Sequence, residues 1–421
     1  MKTLCLFTNA FPYGNWEPYL ETEIKFYNEF DKVWIFALQI REEHKNVRRS
    51  VGKNVSVIPV WYASRLTYLI NALRAVFDAD FYKEFLRLVK RRRFCIRNLI
   101  NLFVFFSRAY YEAGIIEKKM KNQKLVGEVV FYSYRFEYQP YVAMILRKKW
   151  NLNCRIVARA HRYDLYEEEH RGAYIPMRQE ILDEIDFVYP CSDDGTDYIL
   201  NGYPEYKNKV ATKFLGTLDR GIKEYEWKDF PYEIVTCSNV VKVKRLDKLI
   251  RAMSLIRDVE IKWTHYGDGL LMEDIKALAE KMLGANVTYE FKGNVDNTAL
   301  LEDYMTENYY LFLNVSSSEG IPVSIMESSS VGIPCIATDV GGTREIITDG
   351  VNGILLSADV SDQELADRIT RFCRLDRYQY LRFRKEARRL WDDKYNAEKN
   401  YLRFTNELFW QGSNKQIDSK R

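Results

Sequence analysis

The sequence predicts an α/β chain of two parallel-sheet units in series. Three observations lead there. Apolar runs of strand length alternate with amphipathic helical runs along most of the chain, the pattern of βα units. A length of 421 residues exceeds the usual size of one core. The alternation breaks once, around 213–221, and then starts again.

In the first half, strands are expected near 3–8, 32–38, 55–60, 128–133, 155–159 and 186–190, with helices in most of the gaps. The stretch 64–124 differs: it predicts two long helices with no strand between them. From Lys83 to Lys124 it carries twelve Lys and Arg against three acids, and Phe81, Phe85, Phe94, Phe103, Phe105 and Phe106 are interleaved with the charges of the insertion. Two readings stand: a solvated helix face over a core stripe, or a surface for anionic lipid or a lipid-diphosphate acceptor. A charged stretch rich in Tyr, Trp and Pro then runs to Pro231. The second series has strands near 233–238, 260–266, 287–291, 309–315, 334–337 and 353–356, followed by an Arg- and Tyr-rich helical tail. The boundaries are therefore a first domain 1–215 with a basic helical insertion at 64–124, a linker 216–231, a second domain 232–395, and a last helix and tail 396–421. The final eight or so residues read as disordered.

With 63 basic and 59 acidic residues, the chain does not bind nucleic acid through bulk charge. Its seven cysteines are scattered without a CxxC pair, as reduced buried thiols are. The first apolar run is too short for a signal peptide and reads as a buried strand. No stretch reaches the roughly 20 apolar residues of a membrane span; the nearest is 99–106. The chain is therefore expected in the cytoplasm, where the sequons at Asn54, Asn286 and Asn314 carry no meaning.

The most informative segment runs Ser316-Ser-Ser-Glu319-Gly320-Ile321-Pro322-Val-Ser-Ile-Met-Glu327 and continues through Ile333-Pro334 to Asp339-Val-Gly341-Gly342-Thr-Arg-Glu345. A strand ends in a polar turn, Gly320 permits a tight path, and Pro322 suits the start of a helix. The free amides of that helix start would lie at the carboxyl end of a parallel strand, where open α/β sheets bind ligands and where a diphosphate is favoured. Glu327, about one and a half turns on, can accept two hydrogen bonds from a ribose diol. Glu319 can orient sugar hydroxyls but would repel phosphate.

These residues resemble the Glu-x7-Glu motif of retaining glycosyltransferases of family 4, which have the GT-B fold of two Rossmann-like domains facing across a cleft. The resemblance covers most of the chain and is dense from about 236 to 356. It implies that the C-terminal helix packs back on the first domain. Val235-Thr-Cys-Ser238-Asn239-Val-Val-Lys-Val-Lys244-Arg245 resembles the family's phosphate-binding loop. Lys244 falls on the family Lys; Asn239 stands where the family has Arg, so Arg245 is the candidate to compensate. Gly267-Asp-Gly269 resembles the family's Gly-x-Gly turn. In the first half, Gly14 lies where the family has a small-residue loop near the donor phosphates, without the plain Gly-Gly form. Glu17 and Glu21, one turn apart, read as acceptor contacts or as helix caps. His161, in Ala158-Arg-Ala-His161-Arg-Tyr-Asp164, matches the His that approaches the donor sugar.

The resemblance implies sugar transfer from a nucleotide-diphosphate sugar to a hydroxyl with retention of configuration. UDP-sugars come first and GDP-mannose second, and neither a metal nor another cofactor is implied. The catalytic candidates are His161, Lys244 and Glu319. The donor-binding candidates are Gly14, Asn239, Lys244, Arg245, Gly267, Gly320, Ile321, Pro322 and Glu327. The expected acceptor is a glycan or lipid-linked saccharide of cell-surface polysaccharide synthesis, at the inner face of the plasma membrane. Asp78-Ala-Asp80 imitates the metal-binding Asp-x-Asp of another glycosyltransferase fold, but it lies in a helical stretch and reads as chance. The rival functions are a GT-B phosphorylase or nucleotide-sugar hydrolase, and a non-catalytic nucleotide-sugar-binding scaffold.

Overall fold

The structure, a computed structural model, describes residues 1–227 and 231–409. The expected disordered tail, and part of the expected linker at 228–230, lie outside the described residues. The chain forms two compact units. One is Met1–Lys213 joined by the segment that starts at Tyr401; the other is Phe214–Asn400.

The first unit holds β1 (Lys2–Thr8), β2 (Lys32–Ile40), β3 (Val55–Trp61), β4 (Glu128–Ser133), β5 (Arg155–Ala160) and β6 (Phe187–Pro190). They form one sheet in the order β3-β2-β1-β4-β5-β6. The second unit holds β7 (Tyr232–Cys237), β8 (Ile261–Tyr266), β9 (Val287–Gly293), β10 (Leu311–Asn314), β11 (Cys335–Thr338) and β12 (Gly353–Leu356), in the order β12-β11-β10-β7-β8-β9. All strand pairs are parallel. All twelve strands lie where the apolar runs predicted them, within two residues at each end. The reason is burial on both faces: β1 and β10 run as near-continuous apolar segments because helices cover both sides of the sheet. The edge strand β9 instead shows exposed Thr288, Tyr289 and Glu290.

The insertion holds more helices than expected. Helix Arg65–Ala72 and the short turn Leu73–Phe77 precede the two long helices, Ala79–Lys90 and Ile96–Met120. Ser64 caps the first helix by accepting from Thr67 N–H at 3.2 Å. Asp78 caps the second by accepting from Asp80 N–H at 2.8 Å. The Asp78 carboxylate also takes the Tyr110 and Tyr141 hydroxyls, and Asp80 pairs with Lys83. Asp78-Ala-Asp80 is therefore a helix start with both side chains engaged. The 25-residue helix Ile96–Met120 is long and apolar enough to cross a membrane, which the short run 99–106 had hidden. Leu102, Phe106, Ala109, Ala113 and Ile116 line its buried face and join the core under the first sheet.

The helix Ala397–Leu408 begins in the second unit and ends in the first. There Phe404 and Leu408 share a core with Leu4, Leu6, Val130 and Tyr132. Arg159, fully buried, lies with its guanidinium 4.4 Å from the Phe404 ring centroid. It donates to Tyr132 Oη at 2.8 Å and to the Lys213 carbonyl at 3.0 Å, with Glu23 3.6 Å away.

Candidate functional site

Both sheets reverse their winding once, between β1 and β4 and between β7 and β10. At such a switch point neighbouring loops part and leave a crevice at the carboxyl ends of the strands. In the second unit the loops after β7 and β10 carry Lys244 and Glu319 to that place. A small cavity there is lined by Thr236, Ser238, Lys244, Asn314 and Ser316.

Lys244 closes a short turn, Lys242–Lys244, and donates from Nζ to Glu319 Oε1 at 2.6 Å. Asn314 Nδ2 reaches the same oxygen at 3.3 Å. The Glu319 side chain is 10% exposed and that of Lys244 23%, so the charges are largely out of water but reachable. The Glu319–Gly320 backbone is held from behind by Gly341–Gly342. Gly342 N–H donates to the Gly320 carbonyl at 2.7 Å. A Cβ on Gly341, whose φ is +52°, would lie 2.0 Å from the Glu319 carbonyl oxygen. Only glycine fits there. The glycine pair downstream of the motif thus sets the position of its first glutamate.

Pro322 is the N-cap of helix Val323–Ser330, and its carbonyl accepts from Ile325 N–H at 3.2 Å. The first-turn N–H groups of Val323 and Ser324 have no intrahelical acceptor. Glu327 lies on the buried side of this helix, 9% exposed, and accepts from Asn297 Nδ2 at 2.6 Å. Burial pushes its carboxyl up to about 7, against the opposing pull of the Asn297 hydrogen bond. Among the described residues no group of three or more His, Cys, Asp or Glu is placed to hold a metal ion.

Three candidates are engaged otherwise than expected. Arg245 does not stand in for the missing Arg at Asn239. Its guanidinium is spent on three carbonyls: Val315 at 2.6 Å, Ala358 at 2.8 Å and Ser316 at 2.9 Å. It ties the ends of β10 and β12 together. Asn239 itself is exposed. The Gly267 N–H donates to the Gly293 carbonyl, and a Cβ there would lie 2.0 Å from the Ser238 carbonyl oxygen. The close approach that Gly267 allows is to the neighbouring loop. Gly14, φ +64°, gives its N–H to the Val47 carbonyl at 2.8 Å, and a Cβ would press on the His44 ring.

In the first unit the loop after β1 is closed by its own carboxylate. Glu17, 3% exposed, accepts from the N–H groups of Asn9 at 2.9 Å and of Ala10 and Phe11 at 3.1 Å. Arg135, after β4, lies 3.7 Å from Glu17 and 3.4 Å from Asp164. His161 follows β5. Its ring leans on Tyr134 at 4.6 Å between centroids, and both ring nitrogens are buried without a hydrogen-bond partner. Asp164 Oδ2 lies 3.8 Å from His161 Nδ1. Burial acts to lower the pKa of His161, but Cys191 and Asp164 outweigh it and hold it up at about 9.

Asn314, Asn297 and Arg135 escaped the sequence reading. Asn297 is 30 residues from Glu327 and starts a separate helix, Asn297–Thr306, so no local pattern joins them. Asn314 could have been found as a polar residue ending an apolar strand, five residues before Glu319.

The family described as Glycosyl transferases group 1 matches residues 219–390. Over 229 residues the chain is 25% identical to the GtfA subunit of a UDP-N-acetylglucosamine–peptide N-acetylglucosaminyltransferase of Streptococcus agalactiae, covering 52% of this chain and 44% of that protein. Over 240 residues it is 25% identical to a Salmonella typhimurium protein that bears the name of a colanic acid biosynthesis glycosyltransferase, WcaL, covering 55% and 58%. The chain spans about half the length of these relatives. Among solved structures it is similar to the apo form of the lipopolysaccharide outer core galactosyltransferase WaaB, with a TM-score of 0.67, 15% identity and coverage of 97% and 99%. That likeness shows the fold, GT-B.

Proposed function

We propose that this chain, which belongs through residues 219–390 to the glycosyl transferases group 1, transfers a sugar with retention of configuration from a nucleotide-diphosphate sugar to a hydroxyl of a cell-surface glycan acceptor. The observation that carries this reading is the Lys244–Glu319 pair beside the start of helix Val323–Ser330, at the switch point of the second sheet. An ammonium and free helix amides suit a leaving diphosphate, and a carboxylate beside them suits sugar hydroxyls.

In this reading the bond from the anomeric carbon to the diphosphate oxygen breaks and the bond to the acceptor oxygen forms on the same face. The acceptor proton passes to the departing phosphate oxygen. Lys244 and the N–H groups of Val323 and Ser324 stabilise the charge that develops there, so no metal is required. Glu319 orients the sugar and is not a nucleophile, unlike a retaining glycosidase carboxylate. Glu327 accepts the ribose diol. His161, beside Asp164 at 3.8 Å, is proposed as the first unit's group for the donor sugar. A UDP-sugar is the first choice of donor, in line with the name of the streptococcal relative, and GDP-mannose the second. The acceptor is a lipid-linked saccharide, which puts the protein at the inner face of the plasma membrane. One observation favours a second reading, a binding scaffold without turnover: with Asn239 uncharged and Arg245 engaged, one phosphate contact of the family is missing.

A thermal-shift screen of UDP, GDP, ADP, CMP and their sugar conjugates in EDTA tests the proposal, with Glu327→Ala alongside. A ligand at a hundred times its Kd adds about 2.7 kcal/mol of apparent stability. A selective shift without metal, absent in the variant, is the expected result. No shift with any nucleotide sinks the donor site; a shift without turnover leaves the scaffold.

A further inference from the structure

Residues 62–104 of the first unit present a surface of unusual composition. Every exposed residue in this stretch is apolar, aromatic, small or basic, and none is acidic. Its three acids are turned to other work. Asp78 holds the Tyr110 and Tyr141 hydroxyls, Asp80 pairs with Lys83, and Glu84 is buried on Arg87 and Tyr174.

The apolar part is patterned. Leu66, Leu69, Ile70, Leu73 and Phe77 recur at helical spacing and are 58–93% exposed. A second line, Ile96, Ile100 and Val104, runs along the outer side of helix Ile96–Met120, whose other side is core. The two lines adjoin. Helix Arg65–Ala72 is seated on the long helix one turn beyond Val104, where the Ser107 hydroxyl donates to the Tyr68 carbonyl and the rings of Tyr68 and Tyr111 stand 5.3 Å apart. Isolated exposed aliphatics need no explanation, but two adjoining lines of them do. Around them Arg65, Arg74, Lys90, Arg91, Arg92 and Arg97 are exposed.

We propose that this face docks on a bilayer containing anionic lipid. Aliphatic side chains without acids among them suit the acyl boundary, and the flanking cations suit lipid phosphates one layer above it. Charge decides the occupant: a surface with six exposed cations, leaving out the Asp80-paired Lys83, and no exposed acid is complementary to a uniformly anionic plane. The surface overlaps the stretch expected at 83–124, sharing Lys90, Arg91, Arg92 and Arg97 with it, but extends N-terminal to it. Its strongest apolar element, 66–77, precedes that stretch, and Lys119 within it is turned to the Pro59 carbonyl at 2.6 Å. The inference deepens the acceptor reading above, and rests on it only in that a membrane is where a lipid-linked acceptor would be met.

The full chain is to be floated with phosphatidylcholine vesicles with and without phosphatidylglycerol. It is expected to bind the anionic vesicles, weakly or not at all the neutral ones, and less in high salt. Two variants follow: Leu69→Ser with Leu73→Ser and Phe77→Ser, and Arg91→Glu with Arg92→Glu. Both alter exposed residues, and each should lower binding by at least about tenfold. The nucleotide-induced thermal shift should be unchanged in both, which separates this surface from the donor site. Failure of the unaltered chain to bind anionic vesicles overturns the proposal, as does undiminished binding by both variants. Self-association lost in the serine variant, without vesicle binding, overturns it in favour of a protein partner.

Discussion

In the first unit the loop after β1 folds its amides onto Glu17, whereas in the second the loop after β10 leads into a helix whose first amides have no intrahelical acceptor, close in sequence to Glu319 and its partner Lys244. The strand orders are the same. A shared topology therefore places a crevice in each sheet, but side chains decide whether its backbone donors are satisfied internally or kept for a ligand. An internal carboxylate on three N–H groups makes a stiff wall. Donors left at a helix start, with a lysine held in reach by a carboxylate, suit the anion site proposed above.

The contrast breaks most visibly at Lys244. Lys244→Ala should lower kcat about 10²–10³-fold, the range for removing one group that stabilises developing charge, measured as initial rate with the donor found by thermal shift. A loss below tenfold would move the phosphate contact elsewhere. Glu17→Gln should act on stability instead, because an amide cannot accept from three N–H groups as a carboxylate does. A loss of about 2–3 kcal/mol in urea unfolding is expected, with nucleotide affinity of the folded protein unchanged. Arg245→Met should likewise destabilise, by about 2 kcal/mol, since it orphans three carbonyls. A selective loss of nucleotide affinity in that variant would restore Arg245 to the site.

Glu327 sharpens the comparison through pH. Its folded value of about 7 lies above the ordinary glutamate value. Between the two the folded state binds more protons than the unfolded one, so this group's contribution to stability falls as pH rises from about 4.5 to 7. Diol binding needs the ionised carboxylate, so nucleotide affinity should move the other way, weakening up to about tenfold per pH unit below 7. Titration calorimetry from pH 5.5 to 8, with Glu327→Gln as the flat reference, checks the slope. The smallest effect is expected from Asn239→Arg, which supplies the missing cation and should tighten binding by about 1 kcal/mol. Unaltered affinity would mean that the exposed position does not face the diphosphate.

The sheets were legible because parallel strands covered on both sides read as unbroken apolar runs. Lys244 and Glu319 were each legible as candidates from their motifs; their pairing came from the fold, because both fall on loops leaving neighbouring strands. What could not be read was where side chains spend their donors. Arg245 and Lys244 are adjacent, yet the backbone at Arg245 is left-handed, φ 50°, and its guanidinium goes to carbonyls. The amides of Gly14 and Gly267 look free in a sequence and are taken by carbonyls of distant segments. Helix Arg65–Ala72 was absorbed into a longer helical stretch because its apolar stripe resembles a core stripe, and only exposure tells the two apart.

The helix Ala397–Leu408 ties the order of synthesis to the order of folding. Phe404 and Leu408 share a core with Leu4 and Leu6, so part of one face of the first sheet stays uncovered until some 400 residues more have been made. At about 5–20 residues per second that is roughly 20–80 s during which apolar surface of the earliest strands stands open on the ribosome. Among the described residues the core of the second unit draws on nothing beyond Tyr395, so it is free to close around its own sheet first. A nascent-chain protease assay should then find residues 214–400 protected before residues 1–213, the reverse of their order in the gene.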